Sequence, residues 1–174
     1  MGQKMTRKSL LLSLLLTVIV LIFPVTNSKS QVFATSANRD LVGTWELVAW
    51  KHRQADGTTK YPMGETPVGL LIYDRLGNVS IQIMDDFRPT FESGYDQTTL
   101  EELKSVYKTY AAMFGRYTVD TSTKTIGIQV RAITNPNYLS AELTRYYKLK
   151  GDLLTLSLDK KRMNNTVWKR VKSK

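Results

Sequence analysis

The chain has 174 residues and carries 25 Lys and Arg against 15 Asp and Glu, which gives a formal net charge of +10. It contains no cysteine and a single histidine, which excludes disulfides, thiolate metal sites and a cysteine nucleophile and disfavours a zinc site of ordinary ligands. Its length fits one domain plus an additional segment.

The N-terminus has the pattern of a secretory signal peptide. Three basic residues precede an unbroken apolar stretch at residues 9–25, and small residues follow it. The apolar run is shorter than the roughly 20 residues that cross a bilayer comfortably. We therefore predict that residues 1–34 form a signal peptide, cleaved after Ala34 or after Ser30. Residues 35–174 would then be a single exported domain, periplasmic or extracellular. Retention of the segment as an uncleaved anchor is the alternative.

The strands are predicted from apolar residues that alternate with polar ones. In the clearest example, residues 125–133, alternation places Ile126, Ile128, Val130 and Ala132 on one face. Tight-turn residues separate the segments, so the pattern predicts an all-β, antiparallel barrel or sandwich of roughly eight strands. The predicted strands are residues 41–51, 67–73, 79–84, 114–119, 125–133, 141–149, 152–158 and 165–172.

One helix is predicted to interrupt the strands. Residues 98–113 place apolar side chains on one stripe, and Thr98 followed by Glu101 has the spacing of a capping box. The preceding residues 84–97 contain proline, glycine and aromatic residues and predict an ordered loop. Together, the loop and the helix could close one mouth of a barrel.

Motifs of enzymes are sparse, and no catalytic residue is assigned. The sequence has no glycine-rich phosphate loop, no zinc-protease motif and no nucleophile elbow. His52 is predicted to be a solvated residue at a strand end. Asp85 and Asp86 are adjacent, so in an extended segment their carboxylates point to opposite sides and do not form a catalytic pair. Neither a cofactor nor a metal is predicted.

Alternation in residues 141–149 places the charged Arg145 on an apolar strand face, together with Leu143, Tyr147 and Leu149. A guanidinium directed at a core is costly unless it is paired or hydrogen-bonded. Two interpretations are open. Arg145 either bonds to a nearby acid, a carbonyl or an aromatic ring, or lies in a cavity and meets an anionic or carbonyl group of a ligand.

The excess of basic residues is concentrated at the C-terminus. Residues 159–174 carry seven Lys and Arg against one acid, whereas residues 35–158 hold fourteen charges of each sign. A solvated hairpin and tail is one interpretation. A weak contact with an anionic membrane surface is the other. Nucleic acid is not predicted as a partner, because the chain is predicted to be exported and no recognisable nucleic-acid-binding fold is present.

The order of several segments resembles the bacterial lipocalin-like domain proteins. These segments are LVGTWELVAW at the start, FRPTF, MFGRYTVD and NPNY in the middle, and TRYYKLKGDLLTLS and TVWKRV towards the end. The likeness covers nearly all of residues 40–172. It implies a small, closed or nearly closed barrel of the calycin type with an internal cavity.

The resemblance also implies roles for residues at one end of the barrel. Gly43 and Trp45 match the G-x-W element of the first strand, whose tryptophan packs at the closed end of lipocalins against a basic residue from near the C-terminus. Arg170 or Lys169 is the candidate for that basic residue. Trp50, at odd spacing from Trp45, is expected to point to the opposite face of the strand.

The leading expectation is an exported barrel that binds a small hydrophobic or amphipathic molecule in its cavity. The expected ligand-binding residues are Arg145, Tyr147, Tyr117, Tyr110 and Arg88. One alternative is a metal-free enzyme of the cyclase or isomerase type that uses the same cavity. Another is an envelope scaffold that binds anionic surfaces through its basic C-terminus.

Overall fold

The computed structural model describes residues 39–172, without the side chain of Tyr95, and within them nine strands form one antiparallel sheet. The strands are β1 Gly43–Arg53, β2 Thr59–Lys60, β3 Val68–Tyr73, β4 Asn78–Met84, β5 Tyr110–Asp120, β6 Thr125–Ile133, β7 Glu142–Lys150, β8 Leu153–Ser157 and β9 Asn164–Arg170. From β3 onwards each strand pairs with the next, and β1 pairs with both β3 and β9. The sheet is thereby closed into a barrel of eight strands, with β2 as a two-residue addition to β1. The predicted all-β barrel is confirmed.

The alternation of the sequence determines which side chains face the barrel interior. In β6, Ile126, Ile128 and Val130 are buried, whereas Gln129 between them is exposed. Burying an aliphatic side chain of this size contributes about 1.5–3 kcal/mol. The same pattern in the neighbouring strands gives a continuous core.

The two ends of the barrel differ in the length of their connections. At the end that we call the closed end, tight turns join β3 to β4, β5 to β6 and β7 to β8. Asp74 caps the first turn by accepting from the N–H groups of Leu76 and Asn78, at 2.8 and 2.7 Å. At the opposite end, which we call the open end, the longer connections are residues 54–67, which include β2, residues 85–109 and residues 134–141. The cavity lies towards this open end.

A β-bulge in β1 reverses the predicted direction of Trp50. The pairing of β1 with β9 shifts between Leu47 and Ala49, so Val48 has no partner in β9 and its side chain is 49% exposed. An extra residue changes the phase of the alternation beyond it. Trp50 therefore lies opposite Thr166 and faces the interior. The prediction that it points away from the face of Trp45 was wrong.

A second bulge has the same effect in β6. Gly115 pairs with Val130 and Phe114 pairs with Ala132, so Arg131 is the extra residue. Ala132 consequently lies opposite the exposed Phe114, and Ile133 takes the interior position. The predicted interior face of this strand holds as far as Val130 and fails at Ala132.

The helix α1, Leu100–Lys108, is shorter than the predicted residues 98–113. Residues 110–113 instead begin β5 and pair with β4, because their backbone groups find partners in the ladder. The capping box is also displaced by one residue. Glu102 N–H donates to the Thr99 hydroxyl at 3.3 Å, and Thr99 N–H donates to the Glu102 carboxylate at 2.8 Å.

Membrane crossing and export are tested by the structure only in part. No helix within residues 39–172 is long and apolar enough to cross a membrane. The predicted signal peptide, residues 1–34, lies outside the residues that the structure describes.

The carboxylate of Glu102 is expected to hold the loop before α1 in place. It accepts from the N–H of Glu92 at 2.8 Å and from the hydroxyl of Ser93 at 2.7 Å, in addition to its bonds with Thr99. We expect Glu102→Gln to accelerate amide exchange in residues 92–99 at neutral pH, measured by hydrogen–deuterium exchange. Glu101→Gln is the matched control, because Glu101 makes only a 3.9 Å surface ion pair with Lys104. Equal exchange in the two variants would contradict the prediction.

The stabilisation that the ionised Glu102 carboxylate gives to this loop is expected to depend on pH. Hydrogen bonds from the Thr99 N–H, the Ser93 hydroxyl and the Thr99 hydroxyl lower the pKa of Glu102 to about 2. Because the pKa is depressed in the folded state, the stabilisation is complete above the ordinary pKa of about 4.3 and is lost as the pH falls towards 2. An NMR titration of the Glu102 carboxylate should show this depressed midpoint in the wild-type protein.

Candidate functional site

A cavity of about 460 Å³ occupies the open half of the barrel. Its wall is mainly aliphatic and aromatic, with Arg145 as the only charged side chain among the described residues that line it. Tyr138, at the open end, is 49% exposed and lies at the rim. The lining residues are Trp50, Ile81, Ile83, Ala111, Ala112, Met113, Ile133, Thr134, Asn135, Tyr138, Leu143, Arg145, Leu156, Leu158, Thr166 and Trp168.

The polar groups of the two tryptophans in the wall are hydrogen-bonded within the protein. Trp50 Nε1 donates to Asn164 Oδ1 at 2.6 Å, and Trp168 Nε1 donates to the Thr166 hydroxyl at 2.8 Å. The Thr166 hydroxyl in turn donates to the Leu156 carbonyl at 3.4 Å. These indole N–H groups are therefore satisfied without a ligand, and the rings present apolar surface to the cavity.

Arg145 lies in β7 opposite Ile126 and is half-buried. Its Nη1 donates to the carbonyl of Thr144 at 3.1 Å. Within residues 39–172 it forms no ion pair with a carboxylate. Burial lowers the pKa of the guanidinium, and the nearby Tyr73 phenol acts in the opposite direction. An arginine nevertheless remains charged at neutral pH, because its ordinary pKa exceeds 12.

Two phenols pack together below the cavity. The rings of Tyr73 and Tyr117 are 4.6 Å apart between centroids, and the Tyr117 hydroxyl donates to the Asp74 carbonyl at 3.0 Å. The Tyr73 hydroxyl is buried and has no hydrogen-bond partner in the described part of the chain. Burial raises the pKa of Tyr73, and it raises the pKa of Tyr117 to about 12. Both phenols therefore keep their protons at neutral pH.

The structure does not bring the five predicted ligand-binding residues together. Arg145 is the only one of them that lines the cavity. Tyr117 belongs to the buried core, and Tyr147 borders a separate pocket with Asp40 and Lys124. The remaining two residues, Tyr110 and Arg88, line a third depression.

That third depression is a surface groove of about 510 Å³ beside α1. Arg88 crosses it with Cζ 5.5 Å from the centre of the Tyr110 ring, and its Nη2 donates to the Val106 carbonyl at 3.4 Å. The Arg88 Nε is buried without a partner within the described residues. The helix contributes Leu103, which is 49% exposed. The groove is therefore apolar, and it is separate from the cavity.

Sequence reasoning missed most of the cavity wall. Trp50 and Ile133 enter it through the two bulges, which leave no local signal in the sequence. Asn135 also lines the cavity, and its side chain forms a turn by accepting from the Asn137 N–H at 3.1 Å. This turn brings Tyr138, three residues after Asn135, to the rim of the cavity.

The two adjacent aspartates, Asp85 and Asp86, do not line the cavity. Asp85 accepts from the Phe87 N–H at 3.0 Å, and Asp86 accepts from the Thr66 hydroxyl at 2.5 Å. Among residues 39–172, no three His, Asp or Glu side chains are grouped as metal ligands would be. No carboxylate from this part of the chain lines the cavity.

The basic residues near the C-terminus do not form one patch. Lys160 and Lys161 lie in the turn before β9, at the open end, whereas Lys169 and Lys172 lie at or beyond the closed end of β9. The seven residues of β9 separate the two groups by roughly 20 Å. Lys172 is paired with Asp152 at 2.5 Å.

The closed end is organised around Trp45 and Arg170. Trp45 is fully buried, and its Nε1 donates to the Leu41 carbonyl at 3.0 Å. The Arg170 guanidinium lies over its ring, with Cζ 4.0 Å from the centroid, and donates to the carbonyls of Val42, at 2.8 Å, and Asp40. Gly43 has φ +141°, and a Cβ there would be 2.8 Å from Arg170 Nη1. The arginine thus ties the start of the barrel to its last strand.

We expect Arg170→Met to reduce the free energy of unfolding by about 2 kcal/mol, because it removes a cation–π contact and two charge-assisted hydrogen bonds. Arg170→Lys should recover only part of this, since an ammonium lacks the planar fork that bonds two carbonyls. Lys169→Met is the matched control and should stay within about 0.5 kcal/mol of wild type, because Lys169 is exposed on the same strand. Urea denaturation followed by tryptophan fluorescence measures all three. An equal loss in Arg170→Met and Lys169→Met would be inconsistent with this role.

A comparison with known protein families identifies the family of this chain. The model of the lipocalin-like domain family matches residues 42–172. The solved structures that resemble the chain include a lipocalin-like protein from Bacteroides uniformis, at 16% identity and a TM-score of 0.43, with 76% of this chain and 99% of that chain covered. An uncharacterized protein from Bacteroides eggerthii is 14% identical, with a TM-score of 0.42 and coverages of 75% and 98%. No curated protein matches the sequence significantly. The chain belongs to the lipocalin-like domain family.

Proposed function

We propose that the protein binds a small apolar or amphipathic molecule inside the barrel. The observation that carries this proposal is the 460 Å³ cavity with its largely apolar wall. Small-molecule sites are typically concave spaces of about 300–1,000 Å³ lined by apolar and aromatic side chains with a few polar groups. A barrel of eight strands has room for its own side chains or for one small ligand.

The hydrogen bonding of the wall supports a ligand with a large apolar part. Trp50 and Trp168 use their N–H groups within the protein, and the surrounding side chains are aliphatic. Water in such a space finds few partners, so its replacement by apolar surface is favourable. A molecule that enters from the rim at Tyr138 would bury its apolar part against these rings.

Binding is better supported than catalysis in the same cavity. General acid–base chemistry needs a group whose pKa lies near the working pH. The described residues that line the cavity include no histidine, cysteine or carboxylate. The raised pKa values of Tyr73 and Tyr117 make both phenols poor bases at neutral pH. No observation favours the cyclase or isomerase alternative over binding.

The proposal predicts that an uncharged hydrophobic fluorophore binds in the cavity. N-phenylnaphthylamine should gain fluorescence with the wild-type protein and receive energy from Trp50 and Trp168. Ala111 lines the cavity opposite Ile83, so Ala111→Trp should fill the space and weaken binding roughly tenfold or more. Ala132→Trp is the matched control, because Ala132 lies outside the cavity opposite the exposed Phe114, and it should leave binding unchanged.

A milder substitution and a groove variant make the test decisive. Ala111→Phe should weaken binding in the same direction with less disturbance of the fold, which circular dichroism can verify. Leu103→Asp alters the groove beside α1 and should leave binding unchanged. Loss of the probe from Leu103→Asp, with retention by both Ala111 variants, would place the binding site in the groove and refute the proposal.

The place of the protein in the cell stays a prediction from the sequence. Export through a cleaved signal peptide at residues 1–34 is what we propose, with an uncleaved anchor as the alternative. A contact with anionic membranes through the C-terminus has no supporting observation, since the basic residues divide between the two ends of the barrel.

A further inference from the structure

We infer that the ligand is an amphipathic monoanion whose head group is bound by Arg145 inside the cavity, with its apolar tail directed towards the open end. This inference rests on the proposed binding function and specifies the chemical class of the ligand. It is carried by the charge of the cavity, by the unused N–H donors of Arg145 and by the position of Arg145 along β7.

The charge of the cavity is unbalanced. Arg145 is the only charged residue among the described lining residues, and within residues 39–172 it has no carboxylate partner. Its hydrogen bond with the Thr144 carbonyl engages one of its five N–H donors. A guanidinium partly withdrawn from water in apolar surroundings carries a desolvation cost that an anion and further acceptors would offset. An anionic head group would supply both.

A second donor near Arg145 also lacks an acceptor. The Tyr73 hydroxyl is buried without a hydrogen-bond partner in the described chain, whereas that of Tyr117 is used by the Asp74 carbonyl. Tyr73 lies below the cavity and is not part of its wall, so Arg145 is the donor that a ligand in the cavity would meet. A guanidinium offers donors alone, which favours an acceptor-only partner, such as a carboxylate.

The position of Arg145 gives the orientation of the ligand. It lies three residues beyond Glu142, where β7 begins at the open end, which corresponds to a depth of roughly 10 Å along the strand. Leu143, on the same face and nearer to the rim, belongs to the apolar wall. A head group at Arg145 therefore leaves the tail among apolar side chains and pointing outwards. One arginine fork matches the two oxygens of one carboxylate, which favours a single negative charge.

Three ligands with the same tail separate the effect of charge from that of apolar burial. Dodecanoate, dodecanol and dodecylammonium would each displace N-phenylnaphthylamine from the wild-type protein, below the concentrations at which they form micelles. We expect dodecanoate to act at a concentration roughly tenfold lower than dodecanol, because a charge-assisted hydrogen bond adds to the same apolar contacts. Dodecylammonium should be the weakest of the three.

Substitutions test whether Arg145 causes the preference for dodecanoate over dodecanol. Arg145→Met should weaken dodecanoate roughly tenfold and leave dodecanol unchanged, which abolishes the preference. Arg131→Met is the matched control, since Arg131 is exposed in the neighbouring strand β6 and its loss removes the same charge. Arg88→Met tests the groove beside α1 and should also behave as wild type.

Thermal unfolding separates recognition from a structural role of these residues. Without ligand, Arg145→Met and Tyr73→Phe should be at least as stable as wild type, because each removes an incompletely satisfied polar group from a buried position. With dodecanoate, the wild type should gain more in Tm than Arg145→Met. Marked destabilisation of ligand-free Arg145→Met would show that the arginine is structural and would overturn the inference.

The outcomes distinguish this inference from the proposed function. If the fluorophore binds but the three dodecyl compounds displace it equally, or if Arg145→Met keeps the preference for dodecanoate, the monoanion inference fails and binding stands. A preference lost in Arg88→Met and kept in Arg145→Met would also refute it. If neither the fluorophore nor any dodecyl compound binds, the proposed function fails as well.

Discussion

The antiparallel ladder between β1 and β9 joins the first strand of the barrel to the last, and the rest of the structure depends on it. It pairs Trp45 with Arg170 at the closed end and His52 with Asn164 at the open end. These residues are more than a hundred positions apart in the sequence, so the pairing overcomes a large loop-closure entropy. The contacts of Arg170 with the Trp45 ring and with the carbonyls of Val42 and Asp40 strengthen this junction.

The same ladder also shapes the cavity. The bulge at Val48 allows β1 to supply a buried tryptophan at the closed end and a second one, Trp50, to the cavity wall. Without the extra residue, strict alternation from Trp45 would direct both Val48 and Trp50 outwards and Ala49 inwards. The change of phase after Val48 is thus what places a second tryptophan on the interior side of the same strand. The bulge in β6 acts likewise for Ile133, so both irregularities add large apolar side chains to the open half.

The fold could be predicted from the sequence because apolar alternation and turn residues are local signals. All eight predicted strands are present, and the unusual position of Arg145 was visible from alternation alone. The helix was predicted too long, because Tyr110 and Met113 continue its apolar stripe, although their backbone groups pair with β4. Helical spacing and strand pairing compete for such residues, and the partner strand decides.

The composition of the cavity could not be predicted, for a related reason. A bulge leaves the alternation regular on both of its sides, and the change of phase appears only when the partner strand is aligned. Trp50 was therefore assigned to the wrong face. Tyr117 and Tyr147 were assigned to the interior, yet periodicity cannot tell at which height a side chain lies. Tyr117 belongs to the solid part of the barrel, and Tyr147 borders a different pocket.

The interior of the barrel has a packed half and a half that contains the cavity. Towards the closed end, Trp45, Tyr73 and Ile126 are almost completely buried and pack as a continuous core. Towards the open end, apolar residues such as Trp50 and Leu143 are only partly buried and border empty space. The side chains around the cavity contribute less to stability, because unfilled volume loses dispersion contacts. The packed half therefore contributes most of the stability of the barrel interior. Arg145 lies where the two halves meet. Within residues 39–172 this charge has no carboxylate partner, with the packed core beneath it and the cavity beside it. It is therefore the feature of the fold on which the proposed recognition of a ligand depends.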